Sequence, residues 1–506
     1  MRILLVAFIL LLGAAPAARA VEPVALERGT AITDPATLRE LDGGRFRLDS
    51  MLLPERSADA PLSNDELFRL PSMMPVRQAI DGEFERYVIR HTASLPRETI
   101  GVGEGFDFQL FDRALLYSTQ TRFVLAGIVN RMDRAYVSPA DCGEIRLIYR
   151  LTRVNTPDGG DNTVSRRLPM TLNLVLKAKA GRNGPEITCS EIANRWLASG
   201  ALPYEKRQAK DSPLDLLGAE DVERIETNLQ IVHAPKSAVR DFRTDYLLKV
   251  FRYDRQARVF AEAPMENQID RARILADDGL KREFRAWLLD PVNLAEFDRG
   301  TVLIPEKFLA NGAVAPTPAG FDPSDLQPEF GLVQGEGAAF SEADIVAALR
   351  KAAASGVKLQ NIRSPGGFER RLNDVTCAGC HQTRGIGGFH FPGVDWMAAK
   401  PSNTTVVPAS PHFFGDQIRR RDILTALRDG GQPDYSKGFA SRPQLRGSTE
   451  IAGTGYFDGW GAHCYVAARP AASNDASFRD WNCAGGLSCQ AAGRTSRIGM
   501  CFVKSR

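Results

Sequence analysis

The chain has 506 residues, 43% of them hydrophobic, with 64 basic and 61 acidic side chains and a net charge of +3. That near-balance excludes the strong basic bias of a nucleic-acid binder or an anionic-membrane binder. The length leaves room for two to four domains.

Residues 1–20 read as a secretory signal peptide: Arg2 as a short basic region, an apolar run over 3–12, and Ala18-Arg19-Ala20 as the cleavage site. The apolar run is too short for a membrane span, which needs about 20 residues. No later stretch is long enough either, so the expectation is a soluble mature chain in the periplasm or secreted. Removing Arg2 and Arg19 leaves 62 basic against 61 acidic residues.

Residues 21–71 are turn-rich, broken by Pro54, Pro61 and Ser63-Asn64-Asp65, and predict an extended lead-in packed on the first domain. A β-rich pattern follows. Phe123-Val124-Leu125-Ala126-Gly127-Ile128-Val129 reads as a buried strand, and the alternation from Glu144 to Leu151 as a half-buried one. Leu172 to Lys177 is a further strand after the turn Pro157-Asp158-Gly159-Gly160. Cys142 and Cys189 flank these strands, and a disulfide between them is the plain expectation in an oxidising compartment. Strands are predicted again over 225–232 and 246–251 and at Val259-Phe260. Leu280, Phe284, Trp287 and Leu288 then take helical spacing.

Pro316, Pro318, Pro323 and Pro328 mark 311–340 as a linker or long loop. Ser341 with Asp344 is a helix-capping pair ahead of Ile345 and Leu349. After the turn Ser364-Pro365-Gly366-Gly367, Phe368, Leu372 and Val375 give a second helix. The fold class expected is therefore α+β: a β-rich α+β domain over 21–310, the linker, a mainly helical and irregular segment over 341–460, and a cysteine-rich module over 461–506. In that module Cys464, Cys483, Cys489 and Cys501 predict two disulfides, with three connectivities open.

The second helix runs into Thr376-Cys377-Ala378-Gly379-Cys380-His381, followed by the glycines Gly385, Gly387 and Gly388. Cys-x-x-Cys-His is the attachment pattern of c-type haem. Two thiols three apart on a helical turn can each add to one porphyrin vinyl group, and the adjacent imidazole then lies under the iron. The glycines allow a close approach to a flat ligand. The cofactor expected is haem c with its iron.

The stretch resembles the haem-binding segment of c-type cytochromes. Together with Ser410-Pro411-His412-Phe413-Phe414, it is similar to large exported bacterial proteins that carry one such motif, a group with no established activity. The resemblance to cytochromes covers about forty residues. It implies thioether roles for Cys377 and Cys380 and a proximal iron ligand in His381. The late methionine ligand of small cytochromes has no counterpart at the usual place, so His390, His412 and Met397 are the candidates for the sixth position. The corresponding function is electron transfer with a periplasmic redox partner. The alternatives are a haem-dependent peroxidase or oxidase, and a non-haem, disulfide-braced binding protein in which Cys377 and Cys380 bond each other. A two-haem peroxidase would need a second motif, and there is none. Arg370, Arg371, Arg419, Arg420 and Arg421 read as solvated helix faces, with pairing of the 419–421 run to haem propionates as the second reading.

Overall fold

The computed structural model describes residues 29–56, 60–154, 167–179, 187–199, 212–235, 243–317, 330–333, 337–376, 396–397, 413 and 416–437. In the tail it describes 463–465, 475–478, 481–483, 486–491 and 498–503. These residues form an α+β fold whose centre is a ten-stranded sheet. Residues 1–20, expected from sequence to be a signal peptide, lie outside them.

The sheet contains β1 (Ala31–Ile32), β2 (Ile100–Val102), β3 (Phe108–Leu110), β4 (Thr121–Arg131), β5 (Glu144–Arg153), β6 (Arg167–Lys177), β7 (Val222–Ala234), β8 (Arg243–Asp254), β9 (Val259–Ala263) and β10 (Gly312–Thr317). β4 to β8 run antiparallel in chain order, while β9 and β10 share the far edge of β8. β2 and β3 are parallel to each other, and β3 joins the end of β7.

Side chains alternate across a strand, and β5 shows the consequence. Ile145, Leu147, Tyr149 and Leu151 enter the main apolar core, together with Leu172, Leu174 and Leu176 of β6 and Ile225 and Leu229 of β7. The opposite face carries Glu144, Arg146 and Arg150, and these are buried too. The predicted half-buried strand is thus covered on both sides.

The lead-in is helical rather than extended. It holds α1 (Pro35–Asp42), α2 (Leu48–Leu52) and α3 (Asn64–Leu67), and it is followed by α4 (Met74–Ser94). On α4 the side chains Val76, Ile80, Phe84, Tyr87 and His91 are buried, at helical spacing. Pro75 falls in the first turn, where the missing N–H has no helical partner to lose. The short α5 (Arg113–Leu116) precedes β4, and α6 (Cys189–Ser199) follows β6. Cys189 is joined to Cys142 as expected. Cys142 and Gly143 both take positive φ, and a side chain at Gly143 would press on the Arg131 carbonyl at 2.8 Å.

A second apolar core gathers α7 (Arg271–Ala276), α8 (Asp278–Leu288), α9 (Pro291–Arg299) and the helices Glu342–Ala354 and Pro365–Val375. Phe284, Phe297, Phe308, Phe340 and Phe368 meet in it edge to face or tilted. Residues 269–309, assigned to the β-rich domain from sequence, pack here with the segment after residue 341. The predicted loop at 311–340 begins as strand β10, because an edge strand tolerates Pro316.

In the tail, β11 (His463–Tyr465), β13 (Ile498–Val503) and β12 (Leu487–Ala491) form an antiparallel sheet. Its disulfides are Cys464–Cys489 and Cys483–Cys501. Among the described residues no helix is long and apolar enough to cross a membrane.

Candidate functional site

The helix Pro365–Val375 is fixed along its whole length as it approaches the Cys-x-x-Cys-His motif. Its first turn is capped by Ser364, whose hydroxyl accepts from the Gly367 N–H at 2.9 Å. That hydroxyl also donates to Asp475 of the tail at 2.7 Å, and the Arg363 N–H donates to Ser477 at 3.0 Å. A side chain at Gly367 would collide with Ser477, so glycine is required for this close approach. Phe368, Leu372 and Val375 face the second core.

The polar side of the same helix is buried, contrary to the solvated face expected from Arg370 and Arg371. Arg371 donates from Nε to the Phe297 carbonyl at 2.9 Å and from Nη2 to the Asp298 carbonyl. These carbonyls belong to the last turn of α9, where helical acceptors are left over, and the Phe297 carbonyl also takes the Gly300 N–H at 3.1 Å. The Asp298 carboxylate in turn accepts the N–H groups of Gln360, Asn361 and Ile362 at 2.7–2.8 Å. Burial pushes the Arg371 guanidinium down to about 10. Arg370 pairs with Asp374 at 3.1 Å and lies 4.7 Å over the Trp481 ring. The tail therefore braces the helix that leads to the motif.

Beyond the motif the chain is held again, this time by the sheet. The Trp396 indole N–H donates to the Leu125 carbonyl at 2.9 Å, at the bulge between Leu125 and Gly127 in β4. Arg39 of α1 donates to the Trp396 carbonyl at 2.9 Å. Met397 is half-buried against the main core. Phe413 is buried, and its carbonyl accepts from Gln417 at 2.7 Å. The helix Gln417–Arg428 then packs on α6 through Leu424, with Ser190 donating to the Arg428 carbonyl at 2.6 Å.

Arg419 and Arg420 are the second correction to the solvated-face reading. Arg419 bridges Asp416 at 2.6 Å and Asp133 at 2.7 Å, while Arg420 pairs with Asp416 at 2.7 Å. Arg131 holds the other side of Asp133 at 2.8 Å. Burial alone would raise the Asp133 carboxyl, but Arg131, Arg419 and Arg420 outweigh it and hold the group well below its usual range. Lys437 is also buried. Loss of hydration, with Arg134, Arg419 and Arg131 nearby, pushes its ammonium down to about 7. Among the described residues, Arg420 Nη1 makes no hydrogen bond.

Of the sequence-predicted site residues, Met397 falls within the described part of the chain. Cys377, Cys380, His381, His390 and His412 lie outside it. Their neighbours in sequence, Thr376 on one side and Trp396 and Phe413 on the other, are buried. Sequence reasoning missed Trp396, Asp298 and Asp133, whose roles arise from partners tens to hundreds of positions away. The sulfurs of Cys464, Cys483 and Cys489 lie within 4.8 Å of one another, but each belongs to a disulfide and offers no thiolate to a metal. No family model matches the chain, and comparison with curated proteins and solved structures finds no match either.

Proposed function

We propose that the protein is an exported c-type haem protein of the periplasm or extracellular space that transfers electrons through one covalently bound haem. In this reading Cys377 and Cys380 would hold the porphyrin through two thioether bonds, one to each vinyl-derived side chain. His381 would bind the iron, with His390, His412 or Met397 as the candidates for a second protein ligand. When bound, the group supplies one-electron chemistry at iron.

One observation carries the reading. The other six cysteines are joined to one another, Cys142 to Cys189, Cys464 to Cys489 and Cys483 to Cys501. The motif pair has no third cysteine to bond with, which suits two thiols committed to a porphyrin. The surroundings suit it as well. The helix ending at Val375 is tied down through Arg371, and the chain is held again at Trp396, which suits a bound group held between those two points. Near Phe413, the cations Arg131, Arg419 and Arg420 share the carboxylates Asp133 and Asp416. That cationic excess is what a pair of propionates would neutralise.

The test is a pyridine haemochrome spectrum on protein exported from a host with a c-type haem maturation system. The expected result is a spectrum of two saturated vinyl groups at one haem per chain, lost in the Cys377→Ala/Cys380→Ala double variant. Covalent haem persisting in that variant would overturn the assignment. The same cysteine pairing leaves one competing reading, a disulfide-braced binding protein in which Cys377 and Cys380 bond each other, and a colourless protein with that disulfide would select it. A six-coordinate low-spin spectrum indifferent to peroxide supports a carrier with a periplasmic redox partner. A ligand-exchangeable high-spin form would point instead to a peroxidase or oxidase.

A further inference from the structure

Between α4 and the edge of the sheet made by β8, β9 and β10 lies a cavity of about 440 Å³. None of the residues assigned to haem contributes to it. Three separate elements send polar side chains to its floor. Lys249 of β8, its side chain 1% exposed, places Nζ 3.0 Å from Glu83 of α4 and pairs with Glu262 of β9. Tyr87 of α4 donates to Asp245 of β8 at 2.6 Å. Phe108 forms an aromatic wall, with the His91 ring 4.4 Å away and His91 Nε2 3.0 Å from the Glu98 carbonyl. The opening runs past Arg90 and Ser94, both exposed.

The charges lining this cavity are matched within the protein. Glu83, Asp245 and Glu262 stand against Lys249 and Arg90, and Arg86 grips Glu83 at 2.8 Å. Burial raises the Glu83 carboxyl, but Arg86 and Lys249 more than compensate, so the group stays ionised. An anionic ligand would meet three carboxylates, and a cation would have to displace Lys249 from two of them. Ionised acceptors and an ammonium donor held side by side suit hydroxyl groups, which donate to the first and accept from the second. Phe108, Leu247 and Val314 offer an apolar surface for the C–H face of such a ligand. The backbone at Gly312 passes close over the amine, where an added Cβ would sit 3.4 Å from Lys249 Nζ, so the space above the ammonium is kept open by the missing side chain. The volume falls in the range of small-molecule sites, roughly 300–1,000 Å³.

We propose that this cavity is a carbohydrate-binding site for a neutral mono- or disaccharide, with Glu83, Glu262 and Asp245 accepting from its hydroxyl groups and Lys249 donating to them.

The experiment is saturation-transfer NMR followed by titration calorimetry on the full chain. The probes are glucose, galactose, N-acetylglucosamine, lactose and diacetylchitobiose, with spermidine and citrate as the charged alternatives. The expected result is saturable binding of at least one sugar. It should weaken by about tenfold or more in Ser94→Trp, which blocks the mouth from an exposed position, and in Glu83→Gln, which keeps the shape and removes an ionised acceptor. The two variants differ in folding risk, and an unchanged circular dichroism melt qualifies each. Absence of saturable sugar binding up to about 10 mM, a weak affinity by any standard, would overturn the proposal. So would sugar binding untouched by Ser94→Trp, or binding of spermidine or citrate alone.

Discussion

The two packed halves of the described chain bury polar groups in opposite ways. In the helical half, the core is a cluster of phenylalanines, and the buried Arg371 is spent on backbone carbonyls of α9. In the sheet half, β5 and β7 turn apolar side chains to one face and a lattice of ions to the other. Glu144 is shared by Arg134 at 3.2 Å, Arg146 at 3.2 Å and Arg224 at 2.8 Å, while Glu226 takes Arg146 at 3.0 Å and Arg224 at 2.9 Å. Those guanidinium groups hold Glu144 well below its usual range against the upward push of burial. Ring packing has no proton to gain or lose, whereas an ionic lattice depends on every member keeping its charge. The ion lattice of the sheet should therefore respond to pH where the ring cluster of the helical half does not.

The largest effect expected is at Asp133. Asp133→Asn leaves Arg131 and Arg419 buried beside a neutral group and should cost about 3–5 kcal/mol at pH 7 in urea denaturation. Its folded pKa is depressed, so its stabilisation is complete above the unfolded value of 3.8 and is lost as pH falls through the lower folded value. The gap between wild type and variant should accordingly close under acid. Phe284→Ala, in the ring cluster, should cost about 3–4 kcal/mol through the cavity it opens. That loss should be the same at pH 5 and pH 8, and a pH-dependent loss would break the contrast between the halves.

Lys437 tests the opposite sign. With its folded value near 7 and an ordinary value of 10.5, it is charged and buried at pH 6, and stability should climb between those two values as the folded state sheds the proton first. Lys437→Met should raise stability by on the order of 3 kcal/mol at pH 6. The gain should fade toward pH 10, as read from thermal melts across that range. The smallest effect is at the helix Glu342–Ala354. Ser341→Ala removes a side-chain cap on the Asp344 N–H at 3.1 Å and should cost about 1 kcal/mol, again without pH dependence in the neutral range.

Much of the sheet was legible from local pattern. The run from Phe123 became β4, the alternation from Glu144 became β5, and Leu280, Phe284, Trp287 and Leu288 lie on α8. The capping pair Ser341–Asp344 and the Cys142–Cys189 disulfide were legible too. Helix α4 was missed although its buried positions carry a helical period, because Pro75 reads as a break unless its place in the first turn is recognised. β10 was missed because its composition is that of a loop and its pairing with β8 is remote in sequence. The arginines of the candidate site were misread for a third reason. Alternation tells which face a residue occupies, not whether distant carboxylates will come to cover it. Arg419 finds Asp133 across 286 positions, and no local window contains that fact. The Cys-x-x-Cys-His motif is a reading of the sequence alone, since Cys377, Cys380 and His381 lie outside the described residues.

The start of the chain is fastened to segments that come late in the sequence. Thr30, just before β1, donates its hydroxyl to the Gln417 side chain 387 positions later, and β1 borders β4, whose bulge receives Trp396. A chain delivered from its N-terminus has the strands of its sheet in hand long before these clasps exist. Its first edge strand must wait, half-fastened, until about three-quarters of the sequence has followed it, and such long-range closure makes for slow folding. A protein cut short before residue 396 would thus fail first at its beginning.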